Sequence, residues 1–197
     1  MKKKNYLNIS AEECLKRAEI LFNLGDEAEA LEYYRMAVEV GGKSANAFFR
    51  LAVEVEDDKP KQAIAYYLKA LKINAKHSEA CYGLGRIYGR TGKLDKAISC
   101  FKKAVELNPK DSKGYCGLGL ALSQKKKFDG AIANIKKAVE LDPSDSVSYR
   151  IYAMILENKG DFKGALEKYR QSEDLNKNPQ VEDKINKLSV VVEDDGG

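Results

Sequence analysis

The sequence predicts an all-α fold: a right-handed α–α superhelix, or solenoid, of five helix–turn–helix repeats followed by a C-terminal helix. The first observation behind this prediction is internal repetition. Residues 78–111 align without a gap with residues 112–145, so one 34-residue pattern occurs twice in succession. A period near 34 residues with recurring small, aromatic and proline positions is typical of helical hairpins that stack on one another. Such stacks offer an extended concave surface for binding.

Three further copies lie in the same register on either side of this pair. The five repeats therefore cover residues 11–44, 45–77, 78–111, 112–145 and 146–179, and the second is one residue short in the turn after Val55. We expect one continuous array over 11–179, because each repeat of a stacked array contacts its neighbours and no internal domain boundary is needed.

The second observation is a regular alternation of small and large residues within the repeats. Small residues recur in two columns, at Ala30, Ala63, Ala97, Ala131 and Ala165, and at Ala37, Ala70, Ala104, Ala138 and Ser172. A column of large residues lies between them, at Tyr34, Tyr67, Phe101, Ile135 and Tyr169. Two helices approach closely only where a small side chain faces the partner, and a large side chain fills the space beside it. The columns therefore predict the buried helix contacts.

The two ends carry helix-start signals. Ser10 and Glu13 have the spacing of a capping box before the first helix. Asn178 and Pro179 are a good cap and a good first residue for a last helix. The apolar face of that helix is Val181, Ile185, Leu188 and Val192. We interpret 180–192 as a capping helix over the fifth repeat, 1–10 as an N-terminal extension and 193–197 as a flexible acidic tail.

The repeat pattern resembles the tetratricopeptide repeat family over residues 11–179. The resemblance implies a non-catalytic scaffold or adaptor that binds protein partners. It also implies a check, because chaperone adaptors of the family hold a terminal carboxylate with a Lys/Asn/Asn/Lys/Arg clamp. At the corresponding places, counted from the first repeat, this chain has Leu15, Glu19, Arg50, Glu79 and Gly83. The clamp is absent in this frame and in the frame that starts at the third repeat, which argues against a receptor for chaperone tails.

Composition limits the other function classes. A net charge of +4, from 34 basic and 30 acidic residues, is too balanced to favour nucleic acid. No apolar stretch approaches the ~20 residues of a membrane span, and the N-terminus lacks a secretory signal, so we expect a cytoplasmic protein. The four cysteines are far apart and form no CxxC, which predicts no metal site and no cofactor. His77 is interpreted as a solvated turn residue.

The candidate binding surface is the face that each leading helix, the first of its repeat, leaves free of the stacking contacts. It combines cations with aromatic and apolar residues, a composition typical of binding hot spots. The candidate groove residues are Phe49, Arg50, Tyr82, Arg86, Arg90, Lys113, Cys116, Leu120, Arg150 and Met154. Gly83, Gly89 and Gly117 are expected to leave room for a ligand backbone, and Cys116 is expected to face the groove within reach of reagents.

These residues predict a partner segment, extended or helical, that carries apolar anchors and acidic residues. Replacing Arg86 and Arg90 with Glu is then expected to abolish capture with little loss of stability. Another interpretation is that these arginines only pair with neighbouring glutamates. Self-assembly into homo-oligomers or filaments is the alternative function, and an enzyme using Cys116 or an RNA reader has weaker support. The sequence names no partner.

Overall fold

The computed structural model describes residues 9–194, and this range contains α-helices and no strand. The helices are α1 (Ala11–Asn23), α2 (Glu27–Glu39), α3 (Ala45–Val55), α4 (Pro60–Ile73), α5 (Ser78–Arg90), α6 (Leu94–Leu107), α7 (Ser112–Gln124), α8 (Phe128–Leu141), α9 (Ser146–Lys159), α10 (Phe162–Leu175) and α11 (Pro179–Asp194). The expected all-α repeat fold is therefore confirmed. Most of the predicted N-terminal extension, and the end of the acidic tail after residue 194, lie outside the described residues.

The helix starts follow from local chemistry. The backbone N–H of Glu13 donates to the Ser10 hydroxyl at 3.2 Å, as the predicted capping box requires. Asp145 accepts hydrogen bonds from two backbone N–H groups in the first turn of α9. Pro60 and Pro179 are the first residues of α4 and α11, where the missing N–H of proline leaves no helical bond unmade.

In four repeats the turn between the two helices contains a left-handed residue, whereas the turn between α3 and α4 contains none. Gly25, Gly92 and Gly160 provide it with φ of 86°, 71° and 90°. Lys126 takes the equivalent place after α7 with φ of 58°. A side chain at such a φ meets the backbone, so this position is strained for lysine and relaxed for glycine.

The described helices form two compact units, which divide between Ile87 and Tyr88. The division falls within α5, inside the third predicted repeat. In the N-terminal unit, α1 packs against α2 and α3 packs against α4. In the C-terminal unit the corresponding pairs are α7 with α8 and α9 with α10, and α11 packs against α10.

The predicted packing columns form the core of both units. Every residue of the two small columns and of the large column is exposed by no more than 4%. The last helix adds to the core of the C-terminal unit through Val181 and Leu188, which are exposed by 2% and 6%. The leading helices are α1, α3, α5, α7 and α9, and the candidate binding residues lie on α3, α5, α7 and α9.

Candidate functional site

In the N-terminal unit, aromatic rings hold the first candidate arginine in place. The guanidinium carbon of Arg50 lies 3.6 Å from the centroid of the Phe22 ring and 5.4 Å from that of Phe49. Arg50 thus joins the leading helices α1 and α3 through a cation–π contact, which is worth about 0.5–1 kcal/mol at a partly exposed site. The stacking restricts the side chain but leaves its N–H donors available to a ligand.

The second candidate arginine of this unit is tied to a buried carboxylate. Glu56 is only 4% exposed, and its Oε2 accepts a 2.6 Å hydrogen bond from the Tyr67 hydroxyl. Arg86 Nη2 lies 3.0 Å from Glu56 Oε1, and the Arg86 guanidinium carbon lies 6.0 Å from the centroid of the Tyr82 ring. Arg86 therefore compensates the charge of Glu56, as the interpretation in which the arginines pair with glutamates predicts.

Two glycines on the leading helices make room for rings of the protein itself. A Cβ at Gly83 would lie 2.4 Å from Tyr67 Cζ, and a Cβ at Gly117 would lie 2.6 Å from Phe101 Cε1. The expectation that these two glycines leave space for a ligand backbone is wrong, because Tyr67 and Phe101 fill that space. Gly89 has no atom within 4 Å of the equivalent point.

His77 is a capping residue and not a solvated one. Its side chain is buried at 7% exposure, and Nδ1 accepts a hydrogen bond from the Ala80 N–H at 3.3 Å. Its ring centroid lies 4.9 Å from that of Phe49. Ser44 makes the corresponding bond at the start of α3. The sequence interpretation was wrong because it judged the residue type alone, whereas the position is a helix start beneath an aromatic ring.

In the C-terminal unit the candidate residues differ in how much surface they offer. Arg90 and Lys113 are exposed, and Leu120 is half-buried. Cys116 is exposed by only 8%, so it does not have the accessibility to reagents that the sequence led us to expect. Burial raises the pKa of Cys116 to about 11, although a hydrogen bond with Ser148 acts in the opposite direction.

Arg150 and Met154 meet at a cleft in the C-terminal unit. We name it the C-terminal cleft; its volume is about 280 Å³. Its lining comes from α9, α10 and α11: Arg150, Met154, Glu157, Asn158, Tyr169, Gln180, Val181 and Lys184.

Glu157 is the centre of a polar network in this cleft. Its Oε2 accepts a 2.8 Å hydrogen bond from the Tyr169 hydroxyl, and its Oε1 accepts one of 2.7 Å from Lys184 Nζ. The arrangement parallels that of Tyr67, Glu56 and Arg86, with the cation supplied by α11. Burial and the bond to Glu157 raise the pKa of Tyr169.

Neither a metal site nor a membrane-spanning helix is found in the part of the chain that the structure describes. Within residues 9–194, no three His, Cys, Asp or Glu side chains are grouped so that they could hold a metal ion. None of the helices in that range is long and apolar enough to cross a bilayer.

The comparisons with known proteins decide the family. Models described as tetratricopeptide repeat match residues 78–111 and 112–145, and residues 11–40 and 55–77. The chain belongs to the tetratricopeptide repeat family. A search of the curated proteins gave no match. Tetratricopeptide repeats are protein-interaction modules, and the helical hairpins of this chain support a protein-interaction scaffold.

Solved tetratricopeptide repeat structures share the fold at low sequence identity. YrrB, described as having an unusual peptide-binding site, is 22% identical with a TM-score of 0.70 over 87% of this chain and 89% of its own. A MamA fragment from Desulfovibrio magneticus RS-1 is 21% identical with a TM-score of 0.71, over 86% of this chain and 96% of its own. The pilF protein of Pseudomonas aeruginosa is 22% identical with a TM-score of 0.75, over 94% of this chain and 86% of its own.

The sequence interpretation missed the contribution of α11 to the surface. It assigned the last helix a capping role only, yet Lys184 contacts Glu157 and lines the C-terminal cleft. A signal for this was present: continuing the 34-residue register past the fifth repeat places Lys184 in the same column as Cys116 and Arg150. The tetratricopeptide register therefore extends into a helix that lacks the rest of the repeat pattern.

Proposed function

We propose that the chain is a non-catalytic scaffold whose leading-helix faces bind a peptide segment that carries apolar anchors and acidic residues. The observation that supports this most strongly is the state of the candidate cations. Arg50 is held by stacking on Phe22 and not by a carboxylate. Lys113 and Arg150 have no side-chain hydrogen bond or ion pair among residues 9–194. Cations that lack a carboxylate partner among the described residues favour an acidic ligand.

Apolar side chains on the same faces supply the anchor sites. Val53 in the N-terminal unit is 50% exposed, and Val147 and Met154 in the C-terminal unit are 44% and 39% exposed. Each lies on a leading helix beside a candidate cation. Large apolar side chains at this level of exposure support contacts with a partner when they share a surface with arginine and aromatic residues.

The packing of α11 on α10 favours a scaffold over end-to-end self-assembly. The face of α10 that a second copy would use is in contact with α11, through the buried residues Val181 and Leu188. Self-assembly would therefore require this helix to move away first. Light scattering tests the point: a mass that is independent of concentration supports the scaffold, and a growing mass supports assembly.

The experiment for peptide binding starts from a random library of 12-residue peptides displayed on phage and selected on the full chain. Enriched peptides should combine Asp or Glu with large apolar residues. Binding should fall at least about tenfold in Arg50→Glu for peptides that bind the N-terminal unit, and in Lys113→Glu for peptides that bind the C-terminal unit, because each reversal places a carboxylate opposite the ligand acid.

The matched controls change the same charge on trailing helices, the second of each repeat. Lys61 on α4 and Lys102 on α6 are exposed, so Lys61→Glu and Lys102→Glu alter net charge equally and should leave binding within about twofold. No enrichment, or an equal loss in test and control variants, would refute the proposed function.

A further inference from the structure

The C-terminal cleft has an apolar side and a charged side. Met154 and Val181 provide the apolar contacts, together with the Tyr169 ring. Arg150 and Lys184 provide two positive charges, and Glu157 provides one negative charge. A volume of about 280 Å³ is at the small end of ligand clefts, so it suits one or two side chains and not a larger group.

The charges in this cleft do not cancel. Both oxygens of Glu157 are already used, one by Tyr169 and one by Lys184. Lys184 therefore neutralises Glu157, and Arg150 is left without a hydrogen bond or ion pair among residues 9–194. Two cations and one carboxylate leave a single unmatched positive charge beside the apolar contacts.

We propose that the C-terminal cleft is a pocket for an apolar side chain that is directly followed by Asp or Glu in a peptide. The apolar side chain packs on Met154 and Val181, and the carboxylate pairs with Arg150. This inference rests on the proposed function, since it states which ligand segment the last leading helix recognises. It also assigns α11 a role in binding, because this helix supplies Val181 and Lys184 to the pocket.

The network around Glu157 gives the proposal a distinctive consequence. Glu157→Gln removes a negative charge but keeps an oxygen that can accept the Tyr169 hydroxyl bond. The pocket then carries two unmatched positive charges, so an acidic peptide should bind about three- to tenfold more tightly. Lys184→Met should weaken binding of the acidic peptide, because the negative charge of Glu157 then offsets the positive charge of Arg150. A merely structural role for Glu157 does not predict improved binding on its replacement.

The experiment uses the full chain labelled with ¹³C at the methionine methyl groups. The chain has three methionines; Met154 lines the pocket and Met36 on α2 serves as an internal control. The probe is the acetylated and amidated tetrapeptide Ala-Leu-Glu-Ala, and its matched control has Gln in place of Glu. The Met154 methyl signal should shift saturably, and the Glu probe should bind at least about fivefold more tightly than the Gln probe.

Variants complete the test. Arg150→Gln should remove the preference for the Glu probe, and Glu157→Gln should strengthen it. Equal affinities of the two probes, an unshifted Met154 signal, or unchanged binding in Glu157→Gln would overturn the inference. The proposed function is judged separately, because it depends on Arg50 and Lys113 with library peptides, and it survives if only the pocket fails.

Discussion

The ring of Tyr67 occupies the space that a side chain at Gly83 would need. A Cβ at this glycine would lie 2.4 Å from Tyr67 Cζ and 2.6 Å from the hydroxyl oxygen, whose bond to Glu56 holds the ring in place. Gly83→Ala should therefore lower the free energy of unfolding by about 1–3 kcal/mol, although alanine favours the helix by ~1 kcal/mol. Urea denaturation measures the change.

The matched control for this substitution lies on the same helix. Gly89 has no neighbour within 4 Å of its missing Cβ, so Gly89→Ala should gain about 0.5–1 kcal/mol from helix propensity alone. The close approach of Tyr67 is contradicted if both alanine variants are stabilised by the same amount.

Lys126 offers a stabilising substitution. Its φ of 58° lies in the left-handed region, where the equivalent turns have glycine. Lys126→Gly should raise the free energy of unfolding by about 0.5–1 kcal/mol, since relief of strain exceeds the added freedom of the unfolded chain. Thermal denaturation measures the shift. Lys110→Gly, in an exposed turn without positive φ, should be slightly destabilising, and a gain of the same size there would count against strain at Lys126.

The pairing of Arg86 with Glu56 changes what a charge reversal at Arg86 reports. Glu56 is 4% exposed, so Arg86→Glu would leave a buried carboxylate facing a second one. We expect the free energy of unfolding to fall by about 1–3 kcal/mol. This is less than the cost of breaking a fully buried ion pair, because Arg86 is half-exposed. Lys61→Glu, an exposed reversal in the first turn of α4 in the same unit, should not lower the free energy of unfolding, because a carboxylate is favourable at a helix N-terminus.

The sequence analysis expected little loss of stability when both Arg86 and Arg90 are replaced with Glu; the ion pair of Arg86 with Glu56 predicts a loss from the Arg86 replacement. Loss of binding in Arg86→Glu could result either from unfolding or from the loss of a ligand contact. The binding experiment therefore uses Arg50→Glu and Lys113→Glu. Equal stability of Arg86→Glu and Lys61→Glu, measured by urea denaturation, would show that the ion pair contributes little.

The fold could be predicted from the sequence because it depends on columns that repeat. Ala97 and Phe101 take the same burial as their counterparts in every other repeat, so one register explains all five. The candidate surface depends on side chains that occur once. Neither the ion pair of Arg86 with Glu56 nor the bond from Lys184 to Glu157 follows from periodicity, because each requires one residue's reach toward another helix.

Cys116 predicts a specific alkaline destabilisation. Burial raises its pKa from the ordinary value of 9.0 to about 11, so the folded state favours the neutral thiol. The contribution of the neutral thiol to the free energy of unfolding is complete below about pH 9 and is lost as the pH rises to about 11. The loss is at most about 2–3 kcal/mol.

Comparison with Cys116→Ala isolates this effect from the titration of buried tyrosines. The difference in the free energy of unfolding between the natural chain and the variant, measured by urea denaturation, should be smaller at about pH 10.5 than at about pH 8. An unchanged difference at the two pH values would contradict burial of the thiol.

The location of the binding surface is the central claim, and hydroxyl-radical footprinting of the chain with a selected 12-residue peptide tests it most directly. The account predicts that the peptide protects side chains on leading helices, among Phe49, Tyr82, Leu120 and Met154. Oxidation of Tyr66 on α4 and Phe162 on α10 should not change, because these side chains lie on trailing helices. Protection of Tyr66 or Phe162, with none at the leading-helix residues, would contradict the account.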